Sequence, residues 1–447
     1  MKTSRLLLPA VALAFGVAGF AVPAQAETAF GSVPQCDGPE RRYCEEIERL
    51  AANPAVRRAL AHLEATDADA VRDLIMLTEI PAPPFKEEVR ARKYAEMLRE
   101  AGADSVWIDE VGNVIGLRKG QKGGRVLAIS GHLDTVFPEG TDVTVKQRGD
   151  TLYAPGIGDD TRGLIAVLQT LRALEAAGIE TEGDVLFIGT VGEEGLGDLR
   201  GVKHLFRDGG PRIDAFISID GSDDQRIVSQ ALGSRRYRVT FTGPGGHSWG
   251  AFGTANPAHA LGRAIRLFDE AADRFTATGT RTSYNVGRIG GGTSVNSVPF
   301  EAWMEVDMRS ESQERLMQID SIFRATMQTA LEEQNRVHRR GAPLEVDVQL
   351  VGDRPSGETD PNASLVLRAA AATYHFGGEP RLQRSSTDSN VPISKGIPAI
   401  TIGGGGVGGG AHSPDEWWMN RDGVRGIQRT LLITVAEAGL AGAATSN

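Results

Sequence analysis

The stretch Arg125-Val-Leu-Ala-Ile-Ser-Gly-His-Leu-Asp-Thr135 joins an apolar run to a histidine and an aspartate, His132 and Asp134. Successive side chains of an extended segment point to opposite faces, so two polar groups spaced two positions apart can face one point at the end of a strand. That arrangement suits a metal ligand held beside a carboxylate. The stretch therefore predicts a buried strand that ends at a polar site.

Similar apolar strands alternate with helices along much of the chain. Strands are predicted at residues 114–117, 126–130, 185–190, 215–219 and 397–402, and helices at 163–177, 363–374 and 421–438. Such alternation indicates an α/β fold with a mostly parallel sheet and helices on both faces. Before these elements, residues 39–98 show helical spacing interrupted by Pro81-Ala-Pro-Pro84, which no helix interior tolerates.

The middle of the chain has a different pattern. Strands are predicted at 236–242, 282–289, 301–309 and 344–350, and helices at 256–275 and 313–338. The order βαββαβ is that of a ferredoxin-like split motif, which forms a compact domain. We therefore expect residues 235–351 to be an inserted lid or dimerisation domain. Residues 27–234 and 352–447 would form the catalytic, metal-binding domain, in keeping with about two domains for a chain of this length.

The N-terminus has the pattern of a secretory signal. A basic start is followed by an apolar stretch over residues 6–22 and by the small-residue site Ala24-Gln-Ala26. We predict cleavage after Ala26 and export to the periplasm or the medium. The alternative is a retained membrane anchor, because the apolar stretch approaches spanning length. After processing, no further apolar run is long enough to cross a bilayer.

Charge and cysteine content disfavour other kinds of site. The chain has 48 basic and 58 acidic residues, a net charge of −10, so nucleic acid is not an expected partner. Its two cysteines, Cys36 and Cys44, lie near the N-terminus, where an exported chain favours a local disulfide over two free thiols. Neither is near the histidine and aspartate motifs in the sequence. Metal ligands, if present, must therefore be histidines and carboxylates.

Five segments place potential metal ligands after predicted strands or in adjoining loops. They are His132 with Asp134, Asp159-Asp160 in Gly156-Ile-Gly-Asp-Asp-Thr-Arg-Gly163, Glu193-Glu194 in Gly192-Glu-Glu-Gly195, Asp220 in Ile219-Asp-Gly221, and His412 in Ala411-His-Ser-Pro-Asp-Glu416. Each alone has an ordinary explanation as a hydrogen-bonded histidine, a turn or a solvated loop. Sites in open α/β sheets form outside the carboxyl ends of strands. Five such segments in succession therefore favour one cluster.

The ligand types in these segments predict a chemistry. Two imidazoles and three carboxylates are sufficient for two divalent ions that share a bridging carboxylate. Mixed nitrogen and oxygen ligands favour zinc, and manganese or cobalt can substitute. Two metals about 4 Å apart can activate a water and polarise a scissile carbonyl. A further carboxylate must then take the proton of the water and pass it to the leaving amine.

In their order along the chain and in their residues, these motifs resemble those of the zinc-dependent exopeptidase and deacylase family of glutamate carboxypeptidase, peptidase T and acetylornithine deacetylase. The resemblance covers nearly all of the chain after the helical entry segment, including the insertion. It implies that His132 and His412 each bind one metal and that Asp159 bridges the two. It further implies that Glu194 completes the His412 metal and Asp220 the His132 metal.

The resemblance also implies roles for residues beside the metals. Glu193 is similar to the general acid/base of the family. Asp134 would orient His132 and fix its tautomer. The peptide bond between Asp159 and Asp160 is cis in relatives.

Three residues of the insertion match the family as well. His247, in Gly243-Pro-Gly-Gly-His-Ser248, resembles a histidine that in dimeric relatives reaches the partner's active site and stabilises the oxyanion, so the match predicts a homodimer. Asn296 and Arg309 resemble residues that bind a substrate carboxylate or a neighbouring polar group. A surface histidine on a glycine-rich hairpin and a strand-end salt bridge are the alternatives. Residues 386–390 resemble an active-site loop without individual roles.

Residue 220 bears on the substrate. Relatives with aspartate at this position tend to be aminopeptidases or dipeptidases, as in peptidase T, whereas many carboxypeptidases and deacylases have glutamate. Asp220 therefore favours short peptides. Two departures from the family exist: Thr161-Arg162 stands where many relatives have Lys-Gly, and residues 403–410 are unusually rich in glycine. This glycine-rich segment is either a loop that closes over substrate or a tight turn.

The leading hypothesis is thus an exported two-metal hydrolase that cleaves an amide bond of short peptides, of aminopeptidase or dipeptidase type. The nearest alternative keeps the site and acts as a deacylase of N-acyl amino acids. A third possibility is a binding protein that has kept the metal site without turnover. Glu193 argues against this last possibility, because a non-catalytic protein has no need of a proton shuttle.

Overall fold

The structure is a computed structural model and describes Cys36 and residues 41–442. The predicted signal peptide, residues 1–26, lies outside these described residues. Among the helices of the described part, none has the length and apolar character needed to cross a membrane. Cys36 and Cys44 are joined by a disulfide with a Cα–Cα distance of 5.9 Å, which confirms the predicted local pairing.

Four helices form the entry segment. Their bounds are Arg41–Ala52, Pro54–Ala65, Asp67–Thr78 and Glu88–Glu100. Asn53 caps the second helix by accepting a hydrogen bond from Ala55 N. Pro54 lies in the first turn, where backbone N–H groups make no hydrogen bond within the helix, so the lack of an N–H in proline costs nothing there. The break at residues 81–84 is confirmed, whereas the breaks at Asn53 and Thr66 were not predicted.

Nine strands form the main sheet. In chain order they are Ser105–Ile108, Val114–Arg118, Leu127–His132, Val185–Thr190, Ala215–Ile219, Arg226–Ala231, Gly357–Glu358, Arg381–Ser385 and Ala399–Ile402. The fourth, third, fifth and last of these lie side by side and parallel, and antiparallel pairs lie toward the edges. The mostly parallel centre confirms the predicted α/β fold. Strands 105–108, 226–231, 357–358 and 381–385 were not predicted, since none of them contains an apolar run of four residues.

Helices cover both faces of this sheet. Arg162–Ala177, Ser364–His375 and Gly423–Ala438 pack with the entry helices on one face, and the short helices Arg200–Leu205 and Asn390–Ser394 lie on the other. The helix Arg162–Ala177 is buried on nearly every side, because it lies between the sheet and the entry helices.

The parallel strands set the position of the site. His132 and Thr190 are paired residues at the ends of adjacent strands, and Ile219 ends the next strand. Since parallel strands end at the same edge of a sheet, the residues that follow them meet there. The segments that carry Asp134, Glu193 and Asp220 all start from this edge.

The insertion forms a second sheet of four antiparallel strands. These strands are Gly233–Thr242, Thr282–Gly291, Glu301–Ser310 and Glu345–Arg354. In space the order is second, third, first and fourth, which is the ferredoxin-like arrangement. Helices Pro257–Thr276 and Gln313–Val337 pack against it around a separate apolar core that includes Phe268 and Phe323. The domain boundaries at residues 235 and 351 stay a prediction.

Two small sheets complete the strands. Lys146–Arg148, Thr151–Tyr153, Val407–Gly409 and Trp417–Met419 form one, and Gly246–His247 with Ser297–Val298 the other. In the glycine-rich segment, a Cβ on Gly405 would lie 2.3 Å from Gly423 O, and one on Gly406 2.4 Å from Trp418 Nε1. Close packing therefore excludes side chains here, which supports the tight-turn interpretation.

Candidate metal centre

His132 ends a buried strand and is itself 2% exposed. Its Nδ1 lies 3.0 Å from the backbone carbonyl oxygen of Asp134, and its Nε2 lies 3.0 Å from Asp159 Oδ1. Burial lowers the pKa of His132, but the hydrogen bond to Asp159 and the nearby carboxylates outweigh it and raise the pKa well above its usual value. The carbonyl fixes the Nδ1 proton, so Nε2 is the ring atom available to a metal ion.

Asp159 lies between the two predicted histidine ligands. Its Oδ1 is 3.0 Å from His132 Nε2, and its Oδ2 is 3.2 Å from His412 Nε2. Burial raises the pKa of Asp159, but the hydrogen bonds of both imidazoles hold it well below its usual range. The Asp159–Asp160 peptide bond is cis, as the family resemblance implies. The carboxylate thus presents one oxygen to each side, which is the geometry of a bridging ligand.

His412 lies on the second side of the cluster. Its Nε2 is 2.9 Å from Glu194 Oε1 as well as close to Asp159. Hydrogen bonds to Asp159 and Glu194 raise the pKa of His412 to about 10. Metal binding requires neutral imidazoles and ionised carboxylates, so an ion that enters this position displaces the protons that these groups share.

The described residues contain three groups of side chains that could each hold a metal ion. Within each group, the ligating atoms lie within 4.8 Å of one another. The groups are His132 with Asp159 and Asp220, Asp159 with Glu194 and His412, and His132 with Glu193 and Glu194. The first two contain the five predicted metal ligands in the two predicted sets. Their donors are imidazole nitrogens and carboxylate oxygens, which suit zinc, manganese or cobalt. The residues present therefore fit two divalent ions that share Asp159.

Asp160 supports the cluster through the backbone. Its carboxylate accepts hydrogen bonds from His132 N at 2.9 Å and from Gly163 N at 3.1 Å. A Cβ on Gly163 would lie 2.2 Å from Asp160 Oδ1, so only glycine fits there. The neighbouring Arg162, a departure from the family, is buried and donates to Gly404 O at 2.9 Å. This departure therefore serves packing and does not enter the cluster.

Glu416 is a supporting residue that the sequence analysis missed. It is buried, and its carboxylate accepts three backbone hydrogen bonds, from Gly156 N at 2.7 Å, Gly158 N at 2.8 Å and Asp159 N at 2.9 Å. Burial raises the pKa of Glu416 to about 7. The only sequence signal was an acidic residue four positions after His412, which does not reveal its partners.

Asp134 makes contacts that differ from those expected. Its carboxylate Oδ1 is 3.7 Å from His132 Nδ1, whereas its backbone carbonyl is the closer partner. The carboxylate instead accepts hydrogen bonds from Glu193 N at 3.0 Å and Glu194 N at 2.8 Å. Asp134 therefore fastens the Glu193-Glu194 turn to the strand that carries His132.

Glu193, the predicted general acid/base, is buried beside the ligands. Burial raises its pKa well above the usual value, although Arg354 acts in the opposite direction. Arg354 Nη1 lies 3.1 Å from Glu193 Oε1 and 3.2 Å from Ser386 Oγ. The loop at 386–390 thus borders the site, as predicted, and its buried Asp388 accepts a hydrogen bond from Thr190 Oγ1 at 2.5 Å. Arg354 and Asp388 had no individual role in the sequence analysis.

The predicted substrate residues of the insertion lie in more open surroundings. His247 and Asn296 are brought close together, since His247 pairs with Ser297 in the small sheet. Both are exposed, and neither belongs to the three ligand groups of the described residues. Arg309 Nε donates to Asp307 Oδ2 at 2.7 Å, which is the strand-end salt bridge considered as the alternative. The structure thus brings together the metal ligands but not these three residues with them.

Comparisons with known proteins identify the family and agree with the fold. A family model described as peptidase family M20/M25/M40 matches residues 128–433. Carboxypeptidase G2 from Pseudomonas sp. (strain RS-16) is 26% identical over 280 residues, which cover 60% of this chain and 61% of that protein. A predicted LysW-lysine/LysW-ornithine hydrolase from Pyrococcus abyssi is 35% identical over 134 residues, or 30% of this chain and 36% of that protein. Each match spans less than two thirds of the relative.

The fold of this chain is also similar to nearly the whole length of a solved structure. For aminopeptidase PepT from Bacillus cereus ATCC 10987, the TM-score is 0.63 at 22% sequence identity. The alignment covers 83% of this chain and 97% of the aminopeptidase. At this level of identity the similarity concerns the fold alone.

Proposed function

The chain belongs to peptidase family M20/M25/M40, a family of metal-dependent hydrolases, and we propose that it uses two divalent ions to hydrolyse amide bonds of short peptides. The observation that carries the proposal is the position of Asp159. Its two carboxylate oxygens face His132 Nε2 at 3.0 Å and His412 Nε2 at 3.2 Å. A single carboxylate between two imidazoles is what a shared ligand of two metals requires.

In this proposal each metal would be held by three side chains. His132, Asp159 and Asp220 would hold one ion, and Asp159, Glu194 and His412 the other. Zinc is the most suitable ion for these donors, and manganese or cobalt could substitute. When bound, such a pair supplies an activated water and polarises the scissile carbonyl.

Glu193 handles the proton in this reaction. It lies next to the ligand Glu194, and its backbone N–H is held by Asp134 at 3.0 Å. We propose that its carboxylate accepts a proton from the attacking water and delivers it to the amide nitrogen as the bond breaks. Burial raises the pKa of Glu193, and a raised pKa helps its carboxyl group to keep the proton until it is transferred.

Two substrate classes are supported to different degrees. The aspartate at position 220 favours an aminopeptidase or dipeptidase that acts on short peptides, the activity for which the similarly folded PepT is named. The alternative is a deacylase of N-acyl amino acids, and it stays open because the relatives matched in sequence, carboxypeptidase G2 and a predicted LysW-lysine/LysW-ornithine hydrolase, are not named as aminopeptidases. In either case Arg309 and Asn296 would bind a carboxylate or polar group of the substrate.

Export and dimerisation are further parts of the proposal. The basic and apolar start of the chain and the Ala24-Gln-Ala26 site support a cleaved signal peptide and a periplasmic or secreted location. The disulfide between Cys36 and Cys44 agrees with an oxidising compartment. The exposed His247 supports a homodimer in which it serves the partner's active site.

The test combines one substitution with a substrate panel. Glu193→Gln should keep the wild-type metal content by elemental analysis and lose roughly 10² to 10⁴-fold or more in kcat, because proton transfer is coupled to water activation. Glu379→Gln, at an exposed glutamate, is the matched control and should remain fully active. A fully active Glu193→Gln variant would remove Glu193 from the mechanism.

The panel separates the two substrate classes. Dipeptides, tripeptides and N-acetyl amino acids are assayed with and without a chelator. Cleavage of peptides with a free amino group, abolished by chelator, is the expected result. Activity restricted to N-acyl amino acids would favour the deacylase, and hydrolysis that resists chelation would contradict a metal-dependent site.

A further inference from the structure

The loop that carries the proposed general base is tied to the sheet of the insertion. This loop, residues 193–198, is called the Glu193 loop here. It follows the strand Val185–Thr190 of the main sheet, yet three residues of the inserted sheet contact it: Arg236, Asp353 and Arg354. Two of these lie at the end of the last inserted strand, Glu345–Arg354.

Arg354 makes the most direct of these contacts. Its Nη1 lies 3.1 Å from Glu193 Oε1, and its Nη2 donates to the backbone carbonyl of the same residue. Both side chains are almost fully buried, with 5% and 7% exposure. A guanidinium that holds a side-chain oxygen and the backbone oxygen of one residue fixes its orientation, because the fork of donors is planar and rigid.

The other two contacts extend the connection along the loop. Arg236 Nη1 donates to Gly195 O at 3.0 Å, and Asp353 N donates to Asp198 Oδ1 at 2.8 Å. The Glu193 loop is therefore held at its start, middle and end by the inserted sheet.

Arg236 also links the loop to a predicted substrate residue. Its Nε donates to Asp307 Oδ1 at 2.9 Å, and Arg309 Nε donates to Asp307 Oδ2 at 2.7 Å. A chain of charge-assisted contacts thus runs from Arg309 to the Glu193 loop. A group that binds Arg309 would act on the same hydrogen-bonded chain.

From these contacts we propose that Arg354 is the residue that positions Glu193 for proton transfer, and that Arg236 assists it, so that the inserted sheet sets the orientation of the general base. The inference rests on the proposed function, since it takes Glu193 to be that base. Catalytic groups must be held closely, and a displacement of about 1 Å can cost on the order of 10²-fold in rate. Arg354 is a positioning residue in this account, because it acts through Glu193.

The first test measures Arg354→Lys and Arg354→Gln. Lysine keeps the charge but loses the planar fork, so both variants should lower kcat by roughly 10²-fold. KM should change by less than about 3-fold, and the metal content should equal that of the wild type. A raised KM with an unchanged kcat would overturn the proposal, since it would make Arg354 a substrate-binding residue. A wild-type kcat in both folded variants would also overturn it.

The second test combines the substitution with Glu193→Gln. If Arg354 acts only through Glu193, the double variant Glu193→Gln with Arg354→Gln should have the same residual kcat as Glu193→Gln alone. Losses that multiply would show an independent role and overturn the proposal. If Glu193→Gln itself is fully active, the proposed function fails at the general base, which is a distinguishable result.

A third variant keeps the proposal testable should Arg354 variants not fold. Arg236→Gln removes the contact to Gly195 O and should lower kcat about 10-fold with wild-type metal content, as expected for a supporting contact. Arg238→Gln is the matched control: Arg238 lies two residues along the same strand and pairs with Glu305 at 2.8 Å. Equal effects of the two substitutions on kcat would overturn the link between the inserted sheet and the Glu193 loop.

Discussion

The metal cluster and the exposed residues of the insertion differ in how they are held. Asp159 and His132 are fixed through Asp160 and Glu416, whose carboxylates accept hydrogen bonds from the backbone of the ligand segments. His247, in contrast, is exposed, and its Nδ1 accepts hydrogen bonds from the N–H groups of Trp249 and Gly250 in its own turn, each at 3.3 Å.

This difference separates two parts of the function. The ligands of the proposed metals are set by one chain, through strand ends and buried carboxylates. The predicted substrate residues of the insertion lie in open surroundings, where Trp249 is 88% and Val295 103% exposed. We therefore expect metal binding to be independent of the surroundings of His247, and catalysis to depend on them.

The largest expected effect is that of Asp159→Ala. Removal of the bridging carboxylate takes one ligand from each metal, so both ions should be lost and kcat should fall by at least about 10³-fold. Elemental analysis and a peptide assay check the two parts. Asp208→Ala, at an exposed aspartate, is the control and should bind metal normally. Retention of both ions by Asp159→Ala would show that the carboxylate of Asp159 is not needed to bind the metals.

The next effect is that of His247→Ala. If this side chain stabilises the oxyanion, kcat should fall by roughly 10² to 10³-fold while the metal content stays that of the wild type. Kinetics and light scattering are measured together, since the role requires a dimer. A monomeric wild-type enzyme, or an unchanged kcat, would leave His247 as a surface residue of a glycine-rich hairpin.

A smaller effect is expected from Glu416→Gln. The variant loses one of the two carboxylate oxygens that hold the backbone at residues 156–159, so the metal affinity should fall by about 10 to 100-fold. Competition with a chelator measures it. The exposed neighbour substitution Asp415→Asn should leave the affinity unchanged. If both variants bind metal like the wild type, the backbone contacts of Glu416 do not position Asp159.

The sequence was sufficient to predict the cluster of metal ligands, but not the long-range contacts that support it. Alternating strands and helices indicated the sheet, and His132, Glu193 and Asp220 lie at or just after the ends of its parallel strands, so their convergence at one edge follows from topology. The contacts of Glu416 and Arg354 could not be predicted, since each side chain reaches residues more than 150 positions away. A long-range pairing of this kind leaves no local pattern in the sequence.

The same limit applies to Asp134. Its position two residues after His132 predicted an orienting carboxylate. The structure instead uses the backbone carbonyl of Asp134 for His132 and the carboxylate for Glu193 and Glu194. The two-residue spacing predicted that Asp134 lies close to His132. It did not predict which oxygen of Asp134 contacts which partner.

The smallest effect on catalysis is expected for Phe323→Ala in the separate core of the insertion. Phe323 is fully buried against Tyr237 and Phe268, so its removal should lower the free energy of unfolding by about 3 to 5 kcal/mol. The folded variant should bind metal like the wild type. Thermal unfolding and metal titration are the measurements. A loss of metal affinity would show that the two cores are coupled at the ligands.

The most direct test of the account is anomalous diffraction at the zinc absorption edge from crystals soaked in zinc. Two peaks on either side of Asp159 are expected, one beside His132 and Asp220 and the other beside His412 and Glu194. A map without peaks at these side chains, or with one ion that does not touch Asp159, would contradict the two-metal hydrolase.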